Sequence, residues 1–138
     1  MTEITLRGSC LCGEVKYEVT GEPARFFHCH CSRCRKATGT GHASNLFLQP
    51  GALKWIRGGE QVRSYKVPEA SRFSNSFCGT CGSRLPRQAK GGDIVMIPGG
   101  SLDDEPPIKP QARIFYGSRA SWSCEGDALP VYPEYAHP

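Results

Sequence analysis

The chain has 138 residues, 22% of them charged, and a formal net charge of +4. That length is most simply one domain, residues 1–138, with a modest core. No apolar run approaches membrane-spanning length and residues 1–8 lack the apolar stretch of a signal peptide, so a soluble, cytoplasmic protein is expected.

The elements read as β-rich from the start. Val15, Tyr17 and Val19 alternate with Glu14, Lys16 and Glu18, the pattern of a half-buried strand. Residues 24–28 form the next expected strand, and Ser32–Thr38 is the one stretch that reads as helical, barely two turns long. Strands are then expected over 42–48, 53–57, 61–67, 72–77, 93–97 and 112–116. Gly21-Glu22-Pro23, Pro50-Gly51, Gly58-Gly59, Gly91-Gly92 and Pro106-Pro107 punctuate them. Sixteen glycines and eleven prolines argue against a helical bundle, and residues 129–138 read as an extended tail.

Seven of the eight cysteines fall into three groups: Cys10-Leu11-Cys12, Cys29-His30-Cys31-Ser32-Arg33-Cys34 and Cys78-Gly79-Thr80-Cys81. Such short spacings suit thiolates converging on zinc at about 2.3 Å. In a reducing compartment the disulfide alternative is the weaker one. Cys10 and Cys12 with Cys78 and Cys81 make a four-ligand set, and Cys29, Cys31 and Cys34 a three-ligand set. The rival pairing of Cys10 and Cys12 with two cysteines of the central group leaves remainders that make no good site. Two zinc ions per chain are therefore expected: one that clamps the fold, and one with an open position. Extended backbone at Cys10-Leu11-Cys12 would put both sulfurs on one side and turn Leu11 elsewhere, toward the core. Gly79 and Gly82 would supply positive-φ turns around the second pair. Seven metal-bound thiolates on two ions would bring the net charge to about +1, and the basic residues are spread along the chain. A nucleic-acid-binding module is accordingly the least favoured class.

By alternation His30 and His28 point away from the three-cysteine set, toward a carbonyl or a neighbouring side chain, and His42 is expected at a strand start. Cys124 stands apart and reads as a small buried hydrophobe. Zinc held by three thiolates is a poor generator of hydroxide, yet a further thiolate is a natural fourth ligand for it. The pattern thus points to a thiol substrate.

The motifs also resemble a known family, the glutathione-dependent formaldehyde-activating enzymes, which includes centromere protein V. Gly8-Ser9-Cys10-Leu11-Cys12-Gly13-Glu14-Val15 is similar to its opening motif and Cys29 through Gly39 to its central one. Phe77-Cys78-Gly79-Thr80-Cys81-Gly82-Ser83, Gly100 through Asp104, Arg113-Ile114-Phe115 and Ser118 through Trp122 follow in the family's order. The resemblance implies an all-β fold, the β-tent of twisted antiparallel sheets clamped by a four-cysteine zinc, with one short helix after the central motif. It places Cys10, Cys12, Cys78 and Cys81 on the structural zinc and Cys29, Cys31 and Cys34 on the catalytic one. The implied activity is that of a carbon–sulfur lyase or synthase joining formaldehyde to glutathione as S-hydroxymethylglutathione. On that reading Arg33, Arg35 and Lys36 are candidates for the substrate's carboxylates, Asp103 and Asp104 either bind its ammonium or shape a turn, and Phe47, Trp55 and Trp122 either line a pocket or fill the core. A non-catalytic thiol carrier is the alternative, because metal binding that stabilises a thiolate also blunts its nucleophilicity. Either a monomer or a homodimer is compatible with the sequence.

Overall fold

A computed structural model of the chain describes residues 2–123 and 129–136. In chain order the strands and helix are β1 (Ile4–Ser9), β2 (Lys16–Cys29), α1 (Ser32–Thr38), β3 (Ala43–Arg57), β4 (Val62–Lys66), β5 (Ser74–Cys78), β6 (Arg84–Leu85), β7 (Arg87–Gln88), β8 (Val95–Pro98) and β9 (Ala112–Ile114). The helix covers the residues expected of it. Its N-terminus is capped by Cys31, whose sulfur accepts from the Cys34 amide at 3.3 Å, and Gly39 ends it at φ +71.

Six strands form one sheet in the order β1-β2-β3-β8-β7, with β9 also paired to β2; β4-β5-β6 make a second sheet of three. All pairs are antiparallel except β2 with β9, which is parallel. β1 covers the first half of one edge of β2 and β9 the last three residues of that same edge. Ile4 and Leu6 alternate with Thr5 and Arg7 along β1, a strand too short and too polar to stand out in the sequence.

Two expected breaks are not breaks. β2 runs through Gly21-Glu22-Pro23, and β3 runs through Pro50-Gly51, joining what the sequence divides into separate strands. The reason lies in how the two strands meet. Gly21 pairs with Gly51, and β-bulges flank Pro23, where a strand tolerates a residue without an amide proton. A β-carbon on Gly21 would stand 2.2 Å from the Pro50 carbonyl oxygen, and one on Gly51 would stand 2.9 Å from that of Leu48. The glycines let both backbones bend together without parting.

The main core gathers Leu6, Val15, Tyr17, Val19, Phe26, Leu46, Leu48, Leu85, Val95 and Ile97 around buried Cys10 and Cys78. Tyr17 reaches across it to hydrogen-bond Ser101 at 2.6 Å, and Ser101 in turn donates to the Pro98 carbonyl. A separate small cluster contains Cys29, Cys34 and Ala43, with Cys31, Phe73 and Ile114 packed against it. Each cysteine set thus has its own apolar surroundings. Residues 129–136 carry no helix or strand and are exposed. Among the described residues no helix is long and apolar enough to cross a membrane.

Replacing Gly21 with alanine is expected to destabilise the protein by about 2 kcal/mol, since backbone atoms must move to admit the methyl group. A thermal melt should drop by roughly 5–10 °C relative to the parent. An unchanged melting temperature would show that the strand crossing has slack.

Candidate metal centres

The first set is built from two turns that face one another. At Cys10-Leu11-Cys12 the backbone turns rather than extends: the Gly13 amide donates to the Cys10 carbonyl at 3.0 Å, and Gly13 lies at φ +80. Leu11 is consequently not in the core but 87% exposed at the turn's tip. The second turn repeats this scheme, with the Gly82 amide donating to the Cys78 carbonyl at 2.8 Å and Gly82 at φ +76. Gly79, by contrast, has no positive φ; it is needed for room, because a β-carbon there would stand 2.9 Å from the Gln61 carbonyl oxygen. Two contacts tie the turns together: the Leu11 amide donates to Ser83 Oγ at 2.9 Å and Thr80 Oγ1 donates to Glu14 Oε2 at 2.8 Å. Within the second turn Cys81 Sγ lies 3.2 Å from Ser83 Oγ.

All four sulfurs lie within 4.8 Å of one another, with Cys10–Cys12 at 3.6 Å and Cys12–Cys78 at 3.9 Å. A regular tetrahedron of sulfurs about 2.3 Å from a central ion has edges of about 3.8 Å. The donor set fits. Amides of Val15 and Thr80 point at the Cys10 and Cys78 sulfurs from 3.3 and 3.4 Å, and the Val15 contact favours the Cys10 thiolate against the cost of its burial. The Ser83 hydroxyl and amide pull the Cys81 thiol down to about 5. Cys12 moves the other way, to about 12: its contact with the Glu14 backbone is outweighed by desolvation and the neighbouring sulfurs. Four sulfurs this close cannot all ionise without a cation among them.

The second set holds Cys29 at the end of β2, Cys31 at the helix cap and Cys34 in the first turn of α1, again with all sulfurs within 4.8 Å. Burial opposes ionisation of Cys31, but the Cys34 amide and the other two sulfurs bring it below its ordinary range. Cys34 is pushed to about 12 by burial and then by the charges of Cys29 and Cys31. Among the described residues no histidine, carboxylate or further cysteine joins the three. Cys124 lies outside the described residues.

The histidines pack with one another instead, as alternation requires. His28 stacks on His42 with centroids 4.1 Å apart, and His30 packs against His42 and Tyr116. His30, only 2% exposed, thus meets neighbouring side chains, the second of its two expected surroundings, and neither ring nitrogen has a hydrogen-bond partner among the described residues.

Two residues the spacing does not single out reach the three-cysteine set. Asn45 on β3 points its amide at Cys34 Sγ from 3.8 Å, and its carbonyl oxygen accepts from Arg84 Nη1 at 3.2 Å. Arg84 also donates through Nε to Asn75 Oδ1 at 2.9 Å. Burial lowers the Arg84 pKa, while the nearby Cys34 and Cys29 favour its charge. The one available signal is weak: Asn45 is a polar residue in an otherwise inward-facing strand position. Of the other candidates, Arg33 and Lys36 lie exposed on α1, and Arg35 donates back to the His30 carbonyl at 3.4 Å. Asp103 and Asp104 accept from Ser9 Oγ and the Arg7 amide, both at 2.8 Å, fastening their segment to β1 as turn-shaping residues do. Trp55 meets Tyr17 edge-on, Phe47 lies under Arg25, and Trp122 is 68% exposed.

The fold and its cysteines define a β-tent protein with two thiol clusters able to hold metal ions. The profile described as "Glutathione-dependent formaldehyde-activating enzyme" matches residues 5–118, and the chain belongs to that family. A relative from Halomonas elongata, named "Putative glutathione-dependent formaldehyde-activating enzyme", is 38% identical over 127 residues, covering 85% of this chain and 78% of that protein. A crystal structure of a Rhodobacter sphaeroides protein superposes with a TM-score of 0.53 at 25% identity, over 78% of this chain and 99% of the other.

Asn45→Ala removes the acceptor of a buried guanidinium and should lower stability by about 2 kcal/mol in a denaturant titration. Adding Arg84→Leu should cost less than the sum of the two single changes, because the unpaired charge goes with it. Strict additivity would mean that the pair is not coupled.

Proposed function

We propose that the chain is a zinc-dependent thiol-handling enzyme that joins glutathione to formaldehyde, or cleaves the product, S-hydroxymethylglutathione. The observation that carries this reading is the three-sulfur set with no fourth protein ligand among the described residues; family membership supports it. Cys10, Cys12, Cys78 and Cys81 would hold a structural zinc, and Cys29, Cys31 and Cys34 a second zinc at the reacting end. Zinc bound there supplies the positive charge that ionises a thiol near neutral pH. In the synthetic direction the sulfur attacks the aldehyde carbon, a carbon–sulfur bond forms, the thiol proton leaves to solvent and the aldehyde oxygen takes one up. The chain's part is to fix the sulfurs and to seat the ligand. Asn45, braced by Arg84, orients Cys34. Arg33, Arg35 and Lys36 of α1 are the carboxylate partners nearest in sequence.

One observation favours the carrier alternative. Among the described residues the polar side chains that reach the three sulfurs are Asn45 and Arg84, and neither gives up a proton near neutral pH. Measuring hemithioacetal formation against the uncatalysed background, with Cys31→Ala as control, separates the two. A rate above background that vanishes in the variant supports the enzyme. Equal rates alongside glutathione binding select the carrier.

Elemental analysis should return about two zinc per chain. Cys31→Ala should keep the fold with about one, whereas Cys78→Ser or a strong chelator should abolish it, because such sites contribute about 10–16 kcal/mol in small zinc peptides. Retention of the far-UV circular dichroism after complete chelation would rule out the structural role.

A further inference from the structure

The three-cysteine set gathers more charge than its own stretch of chain offsets. Its sulfurs lie within 4.8 Å of one another, close enough to be three corners of a metal's tetrahedron. Three thiolates on a divalent ion leave one net negative charge, and a thiolate in the fourth position makes it two. Cys29 and Cys34 are buried, so water screens that charge poorly. Arg33 and Lys36 of α1 are exposed and screened, and Arg35 is turned to the His30 carbonyl.

A cation stands behind the set on the second sheet. Arg84 of β6 donates through Nε to Asn75 Oδ1 at 2.9 Å and through Nη1 to Asn45 Oδ1 at 3.2 Å. Its Nη2 is buried and has no hydrogen-bond partner among the described residues. No carboxylate pairs with this guanidinium among those residues; the contacts that hold it are neutral amides. A cation placed so needs an anion nearby, and the groups that favour its charge are Cys34 and Cys29. Arg87 of β7 belongs elsewhere: it faces a groove of about 500 Å³, lined also by Arg25, Phe47 and Arg72, that includes none of the cysteines.

Asn45 connects cation and sulfur. It is 7% exposed, with its amide aimed at Cys34 Sγ from 3.8 Å and its oxygen turned to the guanidinium. Each end of the carboxamide dipole thus meets the charge that suits it. The other cysteine set holds the arginine in place. β6 begins directly after the Cys78–Cys81 turn, and the Cys78 amide donates to the Ser83 carbonyl at 2.9 Å.

We propose that Arg84, acting through Asn45, is the counter-charge of the three-cysteine centre and lets it accept an anionic sulfur as fourth ligand. This rests on the thiol-handling reading and adds to it a positioning residue that lies outside the cysteine motifs. Arg84 acts on the ligand's charge rather than its shape, so its effect should follow charge alone.

The cobalt-loaded protein tests this, because the visible absorption of the three-cysteine ion changes when a fourth ligand binds, while the four-cysteine ion is already closed. Two probes are titrated: 2-mercaptoethanol, which binds as a thiolate, and imidazole, which binds uncharged. Arg84→Gln should weaken mercaptoethanol about tenfold and leave imidazole unchanged. Asn45→Asp keeps the side chain's shape but sets a negative charge against the guanidinium, and should give the same split even where Arg84→Gln fails to fold. A folded variant of either kind in which both ligands weaken equally, or neither changes, overturns the counter-charge while the thiol reading stands. A parent protein that takes up no mercaptoethanol removes the thiol reading and this inference with it.

Discussion

Everything in the fold depends on two backbone turns, sixty-odd residues apart, presenting four sulfurs to one point. Hydrophobic burial alone does not require this. The second sheet has only three strands, and two strands of the fold have only two residues each. What sets the relation of the two sheets is that Cys10 and Cys78 are part of the main core and Cys81 packs against it, while Cys12 is exposed. The sulfurs therefore act as the corner at which the two sheets are joined. Contacts such as Leu11 to Ser83 and Thr80 to Glu14 align the turns but are too few and too exposed to replace that corner.

The second cysteine set is made differently. Its sulfurs come from one continuous stretch in which a strand ends, the chain reverses and a helix begins. Local geometry supplies all three, and the helix cap uses one of them as its acceptor. Such a site needs little from the rest of the protein except a floor, which Ala43, Phe73 and Ile114 provide. The two sets thus differ in construction: a corner that spans the chain, and a loop that is self-contained.

The cysteine spacing makes both sets legible, because ligation demands residue types at separations that few other roles require. The helix is legible as well, being bounded by Cys31 and Gly39. What escapes is everything decided by partners distant in sequence. Gly21 and Pro50-Gly51 look like turns in isolation and become bends only when β2 and β3 lie side by side. Leu11 looks like a core residue until the turn's hydrogen bonds direct it outward. Asn45 and Arg84 carry no local pattern at all; their meeting depends on the second sheet closing over the first. Alternation keeps His30 out of the sulfur set, yet its lack of a hydrogen-bond partner among the described residues is a property of packing that no alternation rule reports.

The alternation along β2 and β3 puts Arg25 and Phe47 on the same side of the sheet as Cys29 and Ala43, yet the groove that Arg25 and Phe47 line includes none of the cysteines. Substitutions at positions 25, 47, 72 and 87 would therefore change the charge or the width of that surface at a distance from the sulfurs, on a scaffold that has no need to refold around them.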